Sequence, residues 1–384
     1  MNNVNDYGNV KVSVKKRILI VTGGFFPEIS PRSFRATELA KEFSRQEHEV
    51  VVITKNINYN YADFQTQYKI NIKLLGRKIL WDIPILTGKY LNYISRGVRR
   101  ILLMLFEYPD IELMFKVKKA LKYETGYDLL ISNAVPFPIH WGVAWSRNRK
   151  KRIAKIWVAD CGDPYMGNTN DTFRKLFYFK YLEKWFCRKA DYISIPTIGY
   201  KEQFYKEFHE KIIAIPQGIN FEDVKRCQKM PDNPVPTFAF AGSLIKGVRE
   251  PGKLLDFLSS VVDDFAFIVY TKSIEFFKPY FPRLGTKLQI KDYIPRDELI
   301  YNLSCMDFLI NIGYDPITQS PSKLIDYALS GRPILSFSSN EIDMIAIKEF
   351  LSGDYTHKFL VDCIEKYNIK NVSNEFLKLS NNGK

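Results

Sequence analysis

Residues 320–335 read SPSKLIDYALSGRPIL: a loop, a helix, a turn and the start of a strand in direct succession. Pro321 ends what precedes it, and Ser322 suits the N-cap of a helix beginning at Lys323. Leu324, Ile325, Ala328 and Leu329 recur at helical spacing, and Gly331 and Pro333 stop the helix before Ile334 and Leu335 open a buried strand. A capping box would place its acid at Ile325, so capping does not account for Asp326. A helix N-terminus offers unpaired N–H groups and the positive end of a dipole, which suits a diphosphate. A carboxylate one turn further along can accept both hydroxyls of a ribose. On this segment alone a solvated Asp on an ordinary amphipathic helix is an equal reading.

Outward from this segment the strand–helix alternation continues in both directions. Residues 17–22 (RILIVT) form an apolar run of strand length, followed by Gly23-Gly24, a helix over 31–46 and a second strand at 49–54 (EVVVIT). This is a β-α-β opening unit with glycines at the first turn, although the dinucleotide pattern GxGxxG is absent. Arg32 and Arg35 stand at the start of that helix against its dipole, either to serve an anion or simply solvated. Strands follow at 128–132, 155–159, 192–195 and 212–215, with a helix beginning near His140 and another over 172–189. The second of these strands, KIWVA, runs into Asp160-Cys161-Gly162-Asp163-Pro164, and the ends of parallel strands are where such sheets bind ligands. After the polar connection at 221–236 a second series has strands at 237–241, 266–270, 289–293, 308–310 and 334–337. The expected organisation is α/β: one Rossmann-like domain over 1–220, a second over 221–365, and a helix and tail over 366–384 that can pack back on the first.

Composition narrows the partners. The 384 residues suffice for two cores, and five scattered cysteines without a CxxC pair point to a reducing cytoplasm rather than a disulfide framework or a zinc site. The first residues, MNNVNDYGNVKVSVKKR, lack the apolar stretch of a signal peptide, and no apolar run reaches the roughly eighteen residues of a membrane span. A net charge of +14 admits nucleotides, nucleic acid or anionic lipid. Over 88–104, Lys89, Arg96, Arg99 and Arg100 alternate with Tyr90, Leu91, Tyr93, Ile94, Val98, Ile101 and Leu102, with no acid. Such a helix either lies on an anionic membrane or docks on its own domain.

At 242–251 the sequence GSLIKGVREP places a glycine, a short loop and Arg249 before a helix, parts that can clamp phosphate oxygens. Together with FFPEISPRSFRATELAKEFSRQEHEVVVIT, KIWVADCGDP and PSKLIDYALSGRPIL, this resembles the GT-B glycosyltransferases, specifically the retaining family 4, over nearly the whole chain. The resemblance implies two tandem Rossmann-like domains facing across a cleft, acceptor side first and nucleotide-sugar side second. It assigns Asp326 to the donor ribose. It also shows departures. Ser243 stands where the family has an arginine, Arg249 takes the place of the lysine six residues on, and Thr318 replaces the first glutamate of the usual E-x7-E pair. The family's catalytic histidine position holds Asn133 and Ala134, with His140 following at a helix start.

The resulting expectation is a glycosyltransferase that moves a sugar from a nucleotide-diphosphate donor to a hydroxyl of a polysaccharide or lipid-linked glycan precursor. No DxD triplet is present, and no metal or cofactor is expected. The expected catalytic residues are Arg249, Lys323, His140 and Asp163, with Arg249, Lys323 and the amides near Ser322 stabilising the departing charge. The expected donor-binding set is Gly23, Gly24, Gly242, Ser243, Tyr293, Ile294, Ser320, Ser322 and Asp326. The expected location is cytoplasmic, or peripheral on the inner face of the cell membrane, with no nucleic-acid partner. A GT-B nucleotide-sugar epimerase and a catalytically weakened nucleotide-sugar-binding protein are the alternatives.

Overall fold

The computed structural model describes residues 14–55, 58–77, 79–80, 89–148, 152–168, 174–229, 232–247, 249–313, 322–339, 341–361 and 363–381. It divides into two compact units, one ending at Gly218 and resuming at Ile369, the other Ile219–Asn368.

The first unit contains β1 (Arg17–Thr22), α1 (Pro31–Arg45), β2 (Glu49–Thr54), α2 (Ala62–Tyr68), β3 (Ile70–Leu74), α3 (Lys89–Phe106), α4 (Glu112–Ala120), β4 (Tyr127–Ala134), α5 (Pro138–Ser146), β5 (Ala154–Cys161), α6 (Phe179–Lys189), β6 (Tyr192–Ile195) and β7 (Ile212–Ala214). The strands form one parallel sheet in the order β3-β2-β1-β4-β5-β6-β7. Strands covered on both faces should be buried at nearly every position, and β1, β2 and β4 are. One face packs Leu19, Leu130 and Trp157 under α4, α5 and α6, and the other packs Ile18, Ile20 and Val52 under α1. Each such fully buried side chain contributes roughly 1.5–3 kcal/mol. Strand β3 escapes sequence reading because INIKL is a sheet-edge strand with alternating polar positions and only Ile70 buried.

The second unit contains β8 (Thr237–Ala241), α7 (Gly252–Leu258), β9 (Ala266–Tyr270), α8 (Phe281–Leu284), β10 (Leu288–Lys291), α9 (Arg296–Ser304), β11 (Phe308–Gly313), α10 (Ser322–Ser330), β12 (Ile334–Ser338) and α11 (Met344–Leu351). Its parallel sheet runs β10-β9-β8-β11-β12. A stack of Phe238, Phe267 and Phe308 fills one face, with ring centroids 4.9 and 4.6 Å from Phe238.

The chain then returns to the first unit as α12 (Ile369–Asn381). Ile369, Val372, Phe376 and Leu379 lie at helical spacing and are buried with Leu39, Ala40 and Phe43 of α1. Polar ties flank this face: Lys16 Nζ donates to Ser380 Oγ (2.7 Å) and Gln46 Nε2 to Ser373 Oγ (2.8 Å).

Both sheets are doubly wound. The strand order reverses between β1 and β4 in one and between β8 and β11 in the other, so each has a switch point where a ligand site is expected beyond the strand ends. Gly23 follows β1, and Gly242 follows β8.

Candidate active site

In the second unit the site is built from the end of β8 and the first turns of α10. Tyr327 anchors the two together: its fully buried hydroxyl accepts the Ala241 N–H at 2.7 Å. Gly242 adopts a φ of +148°, and a Cβ there would lie 1.4 Å from Lys323 Nζ. The lysine therefore reaches across α10's first turn to rest on a backbone that only glycine leaves open. Ser243 beside it is exposed, with no arginine to compete for that space.

Arg249 is presented by a narrow hairpin. Its N–H and C=O pair with Ile245 (2.8 and 3.2 Å), Gly247 turns the chain at φ +74°, and Glu250 accepts the Gly247 N–H at 2.6 Å. Arg249 Nε and Lys323 Nζ are both buried and have no hydrogen-bond partner among the described residues. Unpaired buried donors are costly, and two neighbouring cations costlier still. Burial, and then the charge of Arg249, lower the Lys323 ammonium pKa to about 8, with Asp326 opposing. An anion with several oxygens is the ligand that relieves this arrangement.

Asp326 is not a free acceptor. Arg296, on the first turn of α9, donates to it through Nε at 2.7 Å and also through Nη2. Burial pushes the Asp326 carboxyl up, and Arg296 and Lys323 pull it partly back. Nothing local flags Arg296: it lies thirty positions away in sequence. Tyr293 is exposed with the Lys272 ammonium 5.4 Å from its ring. Ile294 is half-buried and lines a cavity of about 390 Å³ with Tyr270, Glu298 and Met306. Ser322 opens α10, while Ser320 and Thr318 lie outside the described residues.

In the first unit the expected residues have other tasks. Gly23 is where the segment after β4 packs, since a Cβ there would meet Pro136 Cδ at 2.4 Å. The Gly24 amide is turned back onto Thr22 Oγ1 at 3.2 Å. Asp163 pairs with Arg32 at 2.7 Å.

His140 requires correction as a catalytic candidate. The helix starts at Pro138, and its third residue faces the core with no exposure. Nδ1 lies 2.7 Å from Ser132 Oγ, which accepts the Trp157 indole N–H, and Nε2 lies 3.5 Å from Cys161 Sγ. Burial, opposed only by Asp160, presses its pKa to about 3, so the ring stays neutral as a core histidine.

Arg35 is likewise no anion ligand. It is 3% exposed and forks onto Asp160, Nε to Oδ2 at 2.6 Å and Nη2 to Oδ1 at 2.8 Å. It also donates to the carbonyls of Pro216 (2.6 Å) and Ile215 (3.0 Å), and Asn133 and Ser194 complete Asp160. Burial raises the Asp160 carboxyl, but Arg35 and the Ser194 hydroxyl outweigh it and hold it below the usual range. The pair ties α1 to β4, β5, β6 and the residues after β7.

Two doubly wound parallel sheets, of seven and five strands, match the GT-B architecture. Residues 34–223 match the family model of Glycosyltransferase Family 4, and the chain has a GT-B, family-4-like fold. A glycosyltransferase from Rickettsia africae ESF-5 is 12% identical at a TM-score of 0.59, with 96% of this chain and 98% of that one covered. Anabaena HepE, solved with UDP and glucose, is 11% identical at 0.54, covering 95% and 99%. The lipopolysaccharide outer core galactosyltransferase WaaB is 13% identical at 0.55, covering 95% and 98%. At these identities the likeness is one of fold. No curated protein sequence matches the chain.

Proposed function

We propose that the protein transfers a sugar from a nucleoside-diphosphate sugar to a hydroxyl of a polysaccharide or lipid-linked glycan precursor, with retention and without a metal. The observation that carries this is the pair of buried cationic nitrogens, Arg249 Nε and Lys323 Nζ, left without a partner among the described residues at a sheet's switch point. As the bond between the sugar C1 and the leaving phosphate oxygen breaks, negative charge grows on the diphosphate. Arg249, Lys323 and the N-terminal amides of α10 then stabilise it more strongly than in the ground state. The acceptor oxygen takes the bond to C1, and its proton passes to the departing phosphate. UDP is the first nucleotide to test, because HepE and Staphylococcus aureus TarM were both solved with it.

Helix α3 supports a membrane-borne acceptor. Leu91, Tyr93, Ile94, Val98 and Ile101 are 41–67% exposed, and Arg96 among them is exposed too. A helix docked through these side chains would have covered them. No helix among the described residues is long and apolar enough to cross a membrane. The proposed location is accordingly peripheral, on an anionic surface at the cytoplasmic side.

The test is a thermal-shift screen of UDP-, GDP- and ADP-sugars followed by steady-state kinetics of Arg249→Ala and Lys323→Ala. The reading expects kcat to fall more than KM rises. A rise in KM alone in both variants would reduce the two residues to ground-state binders.

A further inference from the structure

Two arginine–aspartate pairs in this chain differ in a way that bears on the donor site. At Arg35–Asp160 the guanidinium fork engages both carboxylate oxygens, and Ser194 and Asn133 add one bond to each. That pair is sealed and has no capacity for a ligand. At Arg296–Asp326 both donors, Nε and Nη2, fall on Oδ1. No other described residue donates to Asp326, and the side chain keeps 15% of its surface open. One oxygen is thus saturated and fixed by a half-exposed arginine, and the other is left to accept. Lys323, one turn earlier on the same helix, supplies the second positive charge facing this carboxylate.

We propose that Arg296 is a positioning residue for the donor: by holding Asp326 through Oδ1 it aims Oδ2 at the ribose hydroxyls of the nucleotide. This rests on the nucleotide-sugar reading above. The fork fixes the position of Oδ1, because two N–H groups from one rigid guanidinium converge on it. It also opposes the burial that pushes this carboxyl up, and the ionised form is the one that accepts from both hydroxyls. Loss of Arg296 leaves Asp326 free to rotate or to take a proton, and the site then ceases to distinguish a nucleotide with ribose hydroxyls from one without.

The experiment titrates the full chain with UDP and with 2′,3′-dideoxy-UDP by calorimetry, for the unmutated protein, Arg296→Ala, Arg296→Lys and Asp326→Asn. The unmutated protein should prefer UDP by about tenfold, the value of a hydrogen bond to a charged group. Arg296→Ala and Asp326→Asn should bring that preference close to one, while the dideoxy nucleotide binds all variants within a few-fold of each other. Arg296→Lys, which keeps the cation without the fork, should restore part of the preference. A purely structural arginine would lower affinity for both nucleotides alike. Preference for UDP surviving in Arg296→Ala overturns the proposal and leaves the nucleotide reading intact. If Arg296→Ala misfolds, the Arg296→Lys and Asp326→Asn ratios decide on the same terms. Failure of the unmutated protein to bind UDP, GDP or ADP overturns the nucleotide reading and this proposal together.

Discussion

Nucleotide binding should draw a proton from solution, and Lys323 is the group that takes it. In the ligand-free protein burial, and then Arg249, lower its ammonium pKa to about 8. A diphosphate against Nζ supplies opposite charge and returns that pKa toward the ordinary lysine range. At about pH 7.5 roughly a quarter of the molecules would have Lys323 neutral before binding, at about pH 8 half, and at about pH 9 nine-tenths. Those fractions are the proton uptake per nucleotide bound. The nucleotide's own terminal phosphate, with a second pKa near about 6, is fully ionised there and contributes nothing. Affinity should be flat below about pH 7.5 and fall toward tenfold per unit above about pH 8.5. Calorimetry in two buffers of different ionisation enthalpy reads the uptake directly, and Lys323→Met should abolish it. The same displacement has a sign for stability. A lysine whose folded pKa lies below its unfolded value destabilises the folded state while charged, and that cost is relieved as pH rises through about 8 toward the unfolded value. Lys323→Met should therefore raise the ligand-free melting temperature at neutral pH. The shift from 10.5 to about 8 caps the gain at about 3 kcal/mol. Zero uptake at about pH 8.5 in the unmutated protein, or equal uptake in Lys323→Met, would refute this account.

Two further outcomes follow from the first unit. Arg35→Ala should destabilise that unit by roughly 3–5 kcal/mol, because it strands the buried Asp160 carboxylate, and urea unfolding followed by tryptophan fluorescence checks it. Little change in the unfolding midpoint would contradict the buried pair. Reversal of Arg96, Arg99 and Arg100 to Glu should release the protein from anionic vesicles in sedimentation while leaving nucleotide binding unchanged. Each cation near the surface contributes on the order of 1 kcal/mol, screened by salt, so equal sedimentation with neutral vesicles would refute the membrane reading.

What could be read from sequence follows the range of the interactions involved. The strand–helix alternation is local, and apolar runs such as RILIVT and EVVVIT are buried strands in the structure. The α10 segment was nearly as legible, since a stripe and a glycine stop lie within a few turns, although the helix takes in Ser322, the expected cap, as its first residue. Its electrostatics was not. Arg296 meets Asp326 from thirty positions away, and Arg35 meets Asp160 from 125. A cation at a helix start looks the same in sequence whether it awaits an anion or already holds one. His140 was misread for a geometric reason: two residues' difference in where α5 starts carries the ring from a helix mouth into the core. The burial of Lys323 against Gly242 depends on a backbone φ of +148°, which a lone glycine does not announce.

The most direct test of the central claim is calorimetric titration of the full chain with UDP, GDP and ADP, repeated on the Arg249→Ala, Lys323→Ala double variant. One nucleoside diphosphate should bind at one per chain, and the double variant, with its melting temperature preserved, should lose at least about a hundredfold in affinity. Undiminished binding by the double variant, or no binding of any of the three by the unmutated protein, would contradict a diphosphate site at the start of α10.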